Sequence, residues 1–409
     1  MRLAVFTNQF PGRTSTFFAR DMRALIEAGL EVDVFAIYPS EPRLWTYVPD
    51  ILSESVLGRE RVHHLTLARG LRSLNPWRLL QTPRFLRDTA LIGSAAARFG
   101  PVVLAKSLYA AMLAWTWARD FGRQYDHVMA YWGNFPGTCA FLFHRLLGRE
   151  IPFSLWLHAQ IDLYETPVFL SEKLLYADKI VTICEFNRRY IATHYSAIYE
   201  RIESKIHVNY RGLDLREFPY EANHRCVRRV LAVGRLSPEK GYDNLLRAVA
   251  RLLGQGIEVE LEFVGDGPER RSLVELADHL RIAHAVTFRG WLTFEDVRRA
   301  MLGAAVLAQP SSIEGLPTAV EEAMALGTPV VGSNVGGIPE LLDQGRCGAL
   351  VPPGDVGALT DALRALLTNP GLRLCYAERA RQRAEVMLDL WTNGARLADQ
   401  LRSTPARAA

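Results

Sequence analysis

"RRVLAVGRLSPEKGYDNLLRAVARLLGQG", residues 228–256, decides the fold. Its first seven residues, "RRVLAVG", hold the apolar run "VLAV", short enough for a buried strand. The run stops at Gly234, the polar loop "RLSPEKG" follows, and from Tyr242 apolar residues recur at helical spacing up to a glycine stop. Strand, loop and helix in that order are a building block of parallel sheets. In a doubly wound sheet, the carboxyl end of a strand beside a helix N-terminus is where anions bind, because the first helical N–H groups lack partners. Arg235 and Lys240 bring two cations to that loop. One reading is a pair of solvated cations on a turn; the other is a clamp for a diphosphate. The chain holds five lysines against 43 arginines, and Lys240 is the only lysine after residue 205. A lysine ammonium is a compact charge on a flexible stem that can follow a moving phosphate, where arginine offers a fixed fork.

The same alternation runs outward in both directions. Downstream, "VELEFVG" (259–265), "AVTFRG" (285–290), "AAVLAQP" (304–310) and "PVVGS" (329–333) read as strands, with helices at "GPERRSLVELADHL" and "PTAVEEAMALG". Upstream, "RLAVFT", the helix "STFFARDMRALIEAGL" and the strand "EVDVFAI" open a second such unit, and "HVMAYW" (127–132), "FSLWLH" (153–158) and "KIVTIC" (179–184) extend it. The expectation is an α/β chain of two Rossmann-like doubly wound parallel-sheet domains facing across a cleft, with the cleft as the site. The seam is expected at residues 206–227, which are polar and turn-rich. That gives an acceptor-binding domain over 1–206 and a donor-binding domain over 207–380. A C-terminal helix over 381–409 is expected to pack back towards the first domain, with a disordered tail "STPARAA".

Composition agrees with globular domains: 409 residues, 49% apolar, 22% charged and a formal charge of +4, too mild to argue for nucleic acid. The charge is uneven. From Arg61 to Arg87 the basic residues Arg61, Arg69, Arg72, Arg78, Arg84 and Arg87 occur without one Asp or Glu, interleaved with Leu71, Leu74, Trp77, Leu79, Leu80, Phe85 and Leu86. That mixture suits either an anionic membrane surface or a solvated helical face packed on the domain. Five scattered cysteines, with no CxxC pair, support neither a disulfide framework nor a zinc site. A reducing cytosol fits them, and the N-terminus "MRLAVFTNQFPG" reads as a first buried strand rather than an export signal. Residues 102–118 are the most apolar stretch but fall short of the ~20 residues a membrane span needs, so a buried or interfacial helix is expected there.

A second motif, "SSIEGLPTAVEEAMALGTPVVGSNVGGIPE" (311–340), holds two carboxylates. Pro317 can open a helix where its missing N–H costs nothing, which points the first N–H groups, near Thr318 and Ala319, at a bound phosphate or sugar. Glu314 is then either a helix-start carboxylate favoured by the dipole or, with Glu322, a ligand for sugar hydroxyls. Physical reasoning alone leaves both open.

With these motifs in view, the second half resembles the retaining GT-B glycosyltransferases of family 4, also called glycosyl transferases group 1. The likeness runs through "VGRLSPEKGYDNLLRA", "FVGDGPERRSL", "VTFRGWL", "PSSIEGLPTAVEEAMALGTPVVGSNVGGIPELL" and "GALVPPGD", and includes the family's two glutamates with seven residues between them, here Glu314 and Glu322. The resemblance implies that Arg235 and Lys240 hold the donor diphosphate and offset charge on the leaving group, that Glu322 holds the donor ribose, and that Glu314 contacts the donor sugar. Gly234, Gly265, Gly315, Leu316, Thr318 and Ala319 complete the implied donor site. The first half is similar more loosely, through "FPGRTSTFFARDMRALIEAGLEVDVFA", "HVMAYWGNFPGTCA", "LHAQIDLY" and "SEKLLYADKIVTICEFNRRYI", and most resembles members that build bacterial exopolysaccharides and cell-surface glycans. There His158 matches a family histidine that faces the donor sugar, while Gly12, Thr14, Ser15 and Thr16 fall in the acceptor-side loop. Where relatives commonly read Ser-Glu-Thr, this chain has Thr14, Ser15 and Thr16.

The resulting expectation is a hexosyltransferase-type enzyme. It moves a sugar from a nucleoside-diphosphate donor to a lipid-linked or growing glycan acceptor, with retention, at the inner face of a bacterial membrane. No cofactor and no metal are expected: no Asp-x-Asp motif stands in a convincing loop, and Arg235 with Lys240 can supply the charge that a divalent ion supplies elsewhere. The rivals are a sugar-nucleotide epimerase or hydrolase on the same scaffold and a non-catalytic nucleotide-sugar binder. A dinucleotide-dependent dehydrogenase is weaker, since "VGDGPE" offers two glycines of GxGxxG and no third.

Overall fold

A computed structural model describes residues 1–12, 16–38, 56–122, 124–148, 151–159, 161–221 and 226–405. The chain divides into two compact units, Met1–Gly212 with Leu390–Ala409, and Leu213–Asp389.

The first unit is built on a seven-stranded sheet. Its strands are β1 (Arg2–Gln9), β2 (Glu31–Tyr38), β3 (Val62–His63), β4 (His127–Ala130), β5 (Phe153–Leu157), β6 (Lys179–Thr182) and β7 (Ile206–Val208), in the order β3-β2-β1-β4-β5-β6-β7. Every pairing is parallel. β4, β5 and β6 are buried along their whole length, which is why they read as continuous apolar runs rather than alternating ones. The helix Leu390–Arg402 belongs to this unit and packs on the helix Thr16–Glu27. The approach is close: a Cβ on Gly394 would lie 2.4 Å from the Ala24 Cβ.

The second unit repeats the plan with six strands, β8 (Cys226–Val233), β9 (Glu260–Val264), β10 (Val286–Gly290), β11 (Ala304–Gln309), β12 (Val330–Ser333) and β13 (Ala349–Val351). Their order is β10-β9-β8-β11-β12-β13, again all parallel. The helix Tyr242–Gly254 buries Tyr242, Leu245, Leu246, Ala248, Val249 and Leu252, the three-to-four spacing visible in the sequence. The expected pair of Rossmann-like parallel-sheet domains is therefore present. β3, β7 and β13, each two or three residues long, were not anticipated. Residues Ile206–Val208, read from composition as the start of the seam, are the edge strand of the first sheet.

In each sheet the strand order reverses at one point: between β1 and β4 in the first, between β8 and β11 in the second. Loops leaving the carboxyl ends of those strands run in opposite directions and open a crevice, the ligand position of open α/β sheets.

Residues 101–121 form one helix, Pro101–Phe121, which is buried from Ala110 to Trp117. No helix among the described residues is long and apolar enough to cross a membrane. Of the sixteen large apolar side chains exposed among the described residues, nine lie between Leu67 and Leu108, with Trp77 at 78% and Leu80 at 67% exposure. Eight of them sit on the helices Leu67–Ser73, Pro76–Leu80 and Pro83–Ala97 and on the first half of Pro101–Phe121, and Phe99 in the turn between the last two, beside exposed Arg69, Arg72, Arg78, Arg84 and Arg87.

Candidate active site

The second unit brings its sequence-predicted residues together at its reversal point. β8 ends at Val233 and the chain passes through Gly234 and exposed Arg235 to a single 3-10 turn, Pro238–Lys240. Gly241 then turns the chain into the helix Tyr242–Gly254. Its φ of +62° and its position, where a Cβ would stand 2.3 Å from the Pro310 carbonyl oxygen, exclude any other residue without rearrangement. That contact holds the loop after β8 against the loop after β11, and Ser312 N–H donates to the Glu239 carbonyl at 2.8 Å to tie the two again.

This juxtaposition places Lys240 Nζ 2.6 Å from Glu314 Oε1. The two side chains are mostly shielded, at 18% and 10% exposure. The same glutamate oxygen accepts from Gln309 Nε2 at 2.7 Å and from Ser311 Oγ at 2.8 Å. Glu314 is thus not a helix-start carboxylate; three polar groups converge on one carboxylate oxygen. Its backbone is backed by the loop after β12, where Gly337 N–H donates to the Gly315 carbonyl at 2.7 Å. The helix Thr318–Leu326 starts beside it: the first intrahelical bonds come from Val320 and Glu321 to Pro317, so the amides of Thr318 and Ala319 stand ahead of them. Leu316 is buried and Gly315 half-buried at its entry, and Glu322 is buried on the helix. Gly265 closes the other side: a Cβ there would lie 2.0 Å from the Gly234 carbonyl oxygen.

Gln309 and Ser311 were missed in the sequence. A signal existed for Gln309: it ends "AAVLAQ", whose other members are all apolar, and it is 1% exposed. A buried polar residue at the carboxyl end of such a strand needs a partner.

The first unit holds His158 just past β5. The imidazole is 3% exposed and sits among aromatic rings, 4.2 Å from Tyr131, 4.5 Å from Trp132, 5.6 Å from Trp156 and 6.0 Å from Phe17, centroid to centroid. Burial, and then the Arg211 guanidinium, hold its pKa well below the usual histidine range, against weaker support from the carbonyls of Trp156 and Tyr131. The ring is neutral, a state in which one nitrogen donates and the other accepts. Below it, Asp162 receives the N–H groups of His158 and Ala159, both at 2.9 Å, and of Gly133 at 3.2 Å. Gly12 follows β1, and Thr16 opens the helix Thr16–Glu27 at the same reversal point. Thr14 and Ser15 lie outside the described residues.

Comparison with known proteins agrees with this picture. Residues 226–383, most of the second unit, match the family Glycosyl transferases group 1. Over 417 aligned residues the chain is 25% identical to the putative colanic acid biosynthesis glycosyltransferase WcaL of Escherichia coli (strain K12), covering 94% of this chain and 95% of that protein. It is 32% identical over 170 residues to alpha-D-kanosaminyltransferase of Streptomyces kanamyceticus, 42% of this chain and 43% of the relative, so that this stronger likeness spans less than half of either. In structure it is similar to sucrose-phosphate synthase from Thermosynechococcus elongatus, with a TM-score of 0.73 at 18% identity over 98% of both chains. The expected GT-B architecture is therefore the fold of this chain.

Proposed function

We propose that the protein is a retaining, metal-independent glycosyltransferase that moves a sugar from a nucleoside diphosphate to a lipid-linked or growing glycan acceptor in bacterial surface-polysaccharide synthesis. The observation that carries the reading is the contact of Lys240 with Glu314 at one sheet reversal point, on the two loops that also carry Arg235 and lead into the helix Thr318–Leu326. Two cations and helix-start amides suit a diphosphate. A carboxylate held beside them suits the hydroxyls of the attached sugar, and buried Glu322 those of the ribose.

Chemically, the site stabilises a leaving group. As the bond between the anomeric carbon and the diphosphate breaks, negative charge grows on the phosphate oxygens. Fixed donors in a shielded site are worth more there than in water. Lys240 and Arg235 take the place of a divalent ion, and no resident cofactor is needed. Retention implies departure and attack on the same face of the sugar. Neutral His158 would hydrogen-bond the transferred sugar, and Gly12 with Thr14, Ser15 and Thr16 would face the acceptor. The relation to WcaL along nearly the whole chain supports a polysaccharide product.

The exposed arginine and apolar cluster over 61–87 supports peripheral contact with the inner face of the membrane, where a lipid-linked acceptor would lie.

A thermal-shift panel of nucleotide sugars identifies the donor, since a ligand bound only by the native state raises its apparent stability. With that donor, Lys240→Ala is expected to lower turnover on the order of 10²–10³-fold while the melting temperature without donor stays close to wild type. Unchanged turnover in a folded variant would remove Lys240 from the site. Product formed from donor alone, at the rate seen with acceptor, would favour a hydrolase or epimerase.

A further inference from the structure

Two fully buried charges of the first unit take no part in the chemistry above. Asp162 lies in the π-helical turn Ile161–Glu165 that follows β5, and Lys173 in the helix Leu170–Tyr176. Between them they take both polar groups of Gly133. Its N–H donates to Asp162 Oδ2 at 3.2 Å, and its carbonyl accepts from Lys173 Nζ at 2.6 Å. Lys173 Nζ is also 3.3 Å from the Asn134 carbonyl and 3.3 Å from Thr138 Oγ1, so its three N–H donors each have an acceptor. Gly133 is closely packed, since a Cβ there would lie 2.6 Å from Leu157 Cδ2 and 3.3 Å from the Asp162 carbonyl oxygen.

The consequence is geometric. Trp132 precedes the clamped residue, and His158 N–H donates to the same Asp162 carboxylate at 2.9 Å. The turn that carries Trp132 and the turn that carries His158 are thus tied to one side chain, and their rings lie 4.5 Å apart at 34°. Burial pulls Lys173 down to about 7 and pushes Asp162 up to about 6, against the help each gains from its partners. Burying ions is unfavourable unless geometry and hydrogen bonds offset it, and here the side-chain bonds of the pair go to the two turns at the carboxyl ends of β4 and β5, save the one from Lys173 to Thr138 in the helix that follows.

We propose that Asp162 and Lys173 are a positioning pair for the first unit's site, locking the Gly133 peptide groups so that the His158 ring is held against Trp132 in one orientation towards a sugar. This rests on the glycosyltransferase reading.

The test uses the full chain labelled with [13Cε1]histidine, with the His158 signal assigned through His158→Gln. In Asp162→Asn and in Lys173→Met the His158 signal is expected to move well beyond its linewidth, while those of His279 and His284, in the second unit, stay in place. With the donor found in the thermal-shift panel, kcat is expected to fall at least ~10-fold with donor KM within about twofold, because the lost quantity is orientation rather than donor binding. Should a single variant fail to fold, the double variant Asp162→Asn with Lys173→Met, which leaves no buried charge of the pair, takes its place in both measurements. An unmoved His158 signal in a folded variant overturns the positioning role whatever the activity. Failure of the wild type to turn over any nucleotide sugar overturns the glycosyltransferase reading instead, and leaves the histidine signals to decide the geometry.

Discussion

At the scale of single residues, Lys240 already has a partner within the protein. Its ammonium rests on Glu314 in a shielded pair, and under the proposed function a diphosphate would compete with that carboxylate for the lysine. Glu314 would keep Gln309 and Ser311, and a sugar hydroxyl suits the place that the ammonium leaves. Sequence reading located both residues and the order of the motifs, but not their contact, which depends on two loops 74 residues apart meeting at a strand reversal. Asp162 and Lys173 were not legible at all. In sequence each is an ordinary charge between helical residues, and only the fold shows that both are fully buried. Asp162 also makes a prediction about pH. Its carboxyl is raised from 3.8 to about 6, so between those values the native state binds more protons than the unfolded chain. The stabilising contribution is complete below 3.8 and is lost as pH rises through about 6. Denaturant titrations across that window should show a decline in stability that Asp162→Asn flattens.

At the scale of elements, the strands that were legible are the buried ones. β4, β5, β6 and β11 are covered on both faces, and burial wrote continuous apolar runs into their sequences. The edge strands β3, β7 and β13 were not, because two or three residues carry no period. Turns were legible where a backbone demand required glycine. Gly241 is the clearest case, with a left-handed φ and a carbonyl oxygen where a Cβ would be. Gly241→Ala should therefore cost at least about 1–2 kcal/mol from the backbone conformation alone, and more from the displaced loop after β11. A urea titration should show a lower midpoint with an unchanged slope, and donor KM should rise because the displaced loop carries Glu314.

At the scale of the whole molecule, the charge read from composition is unevenly deposited. A near-balanced chain of +4 concentrates exposed arginines along residues 67–108 with nine of the sixteen large apolar side chains exposed among the described residues. Periodicity could place those residues on helices, but not tell a covered face from an open one; the exposures of Trp77 and Leu80 do. Replacing Arg69, Arg72, Arg78 and Arg84 with Gln should weaken binding to anionic vesicles at low salt, by up to about 1 kcal/mol per arginine, and leave binding to neutral vesicles nearly unchanged. Flotation with the two vesicle types checks this, and an unchanged partition would retire the membrane contact. The same surface has a practical consequence for the purified protein. An open face rich in leucine and tryptophan is a self-association hazard once the bilayer is absent. Sedimentation velocity should then show concentration-dependent clustering in plain buffer, dispersed by a mild non-ionic detergent that covers the face in the bilayer's place.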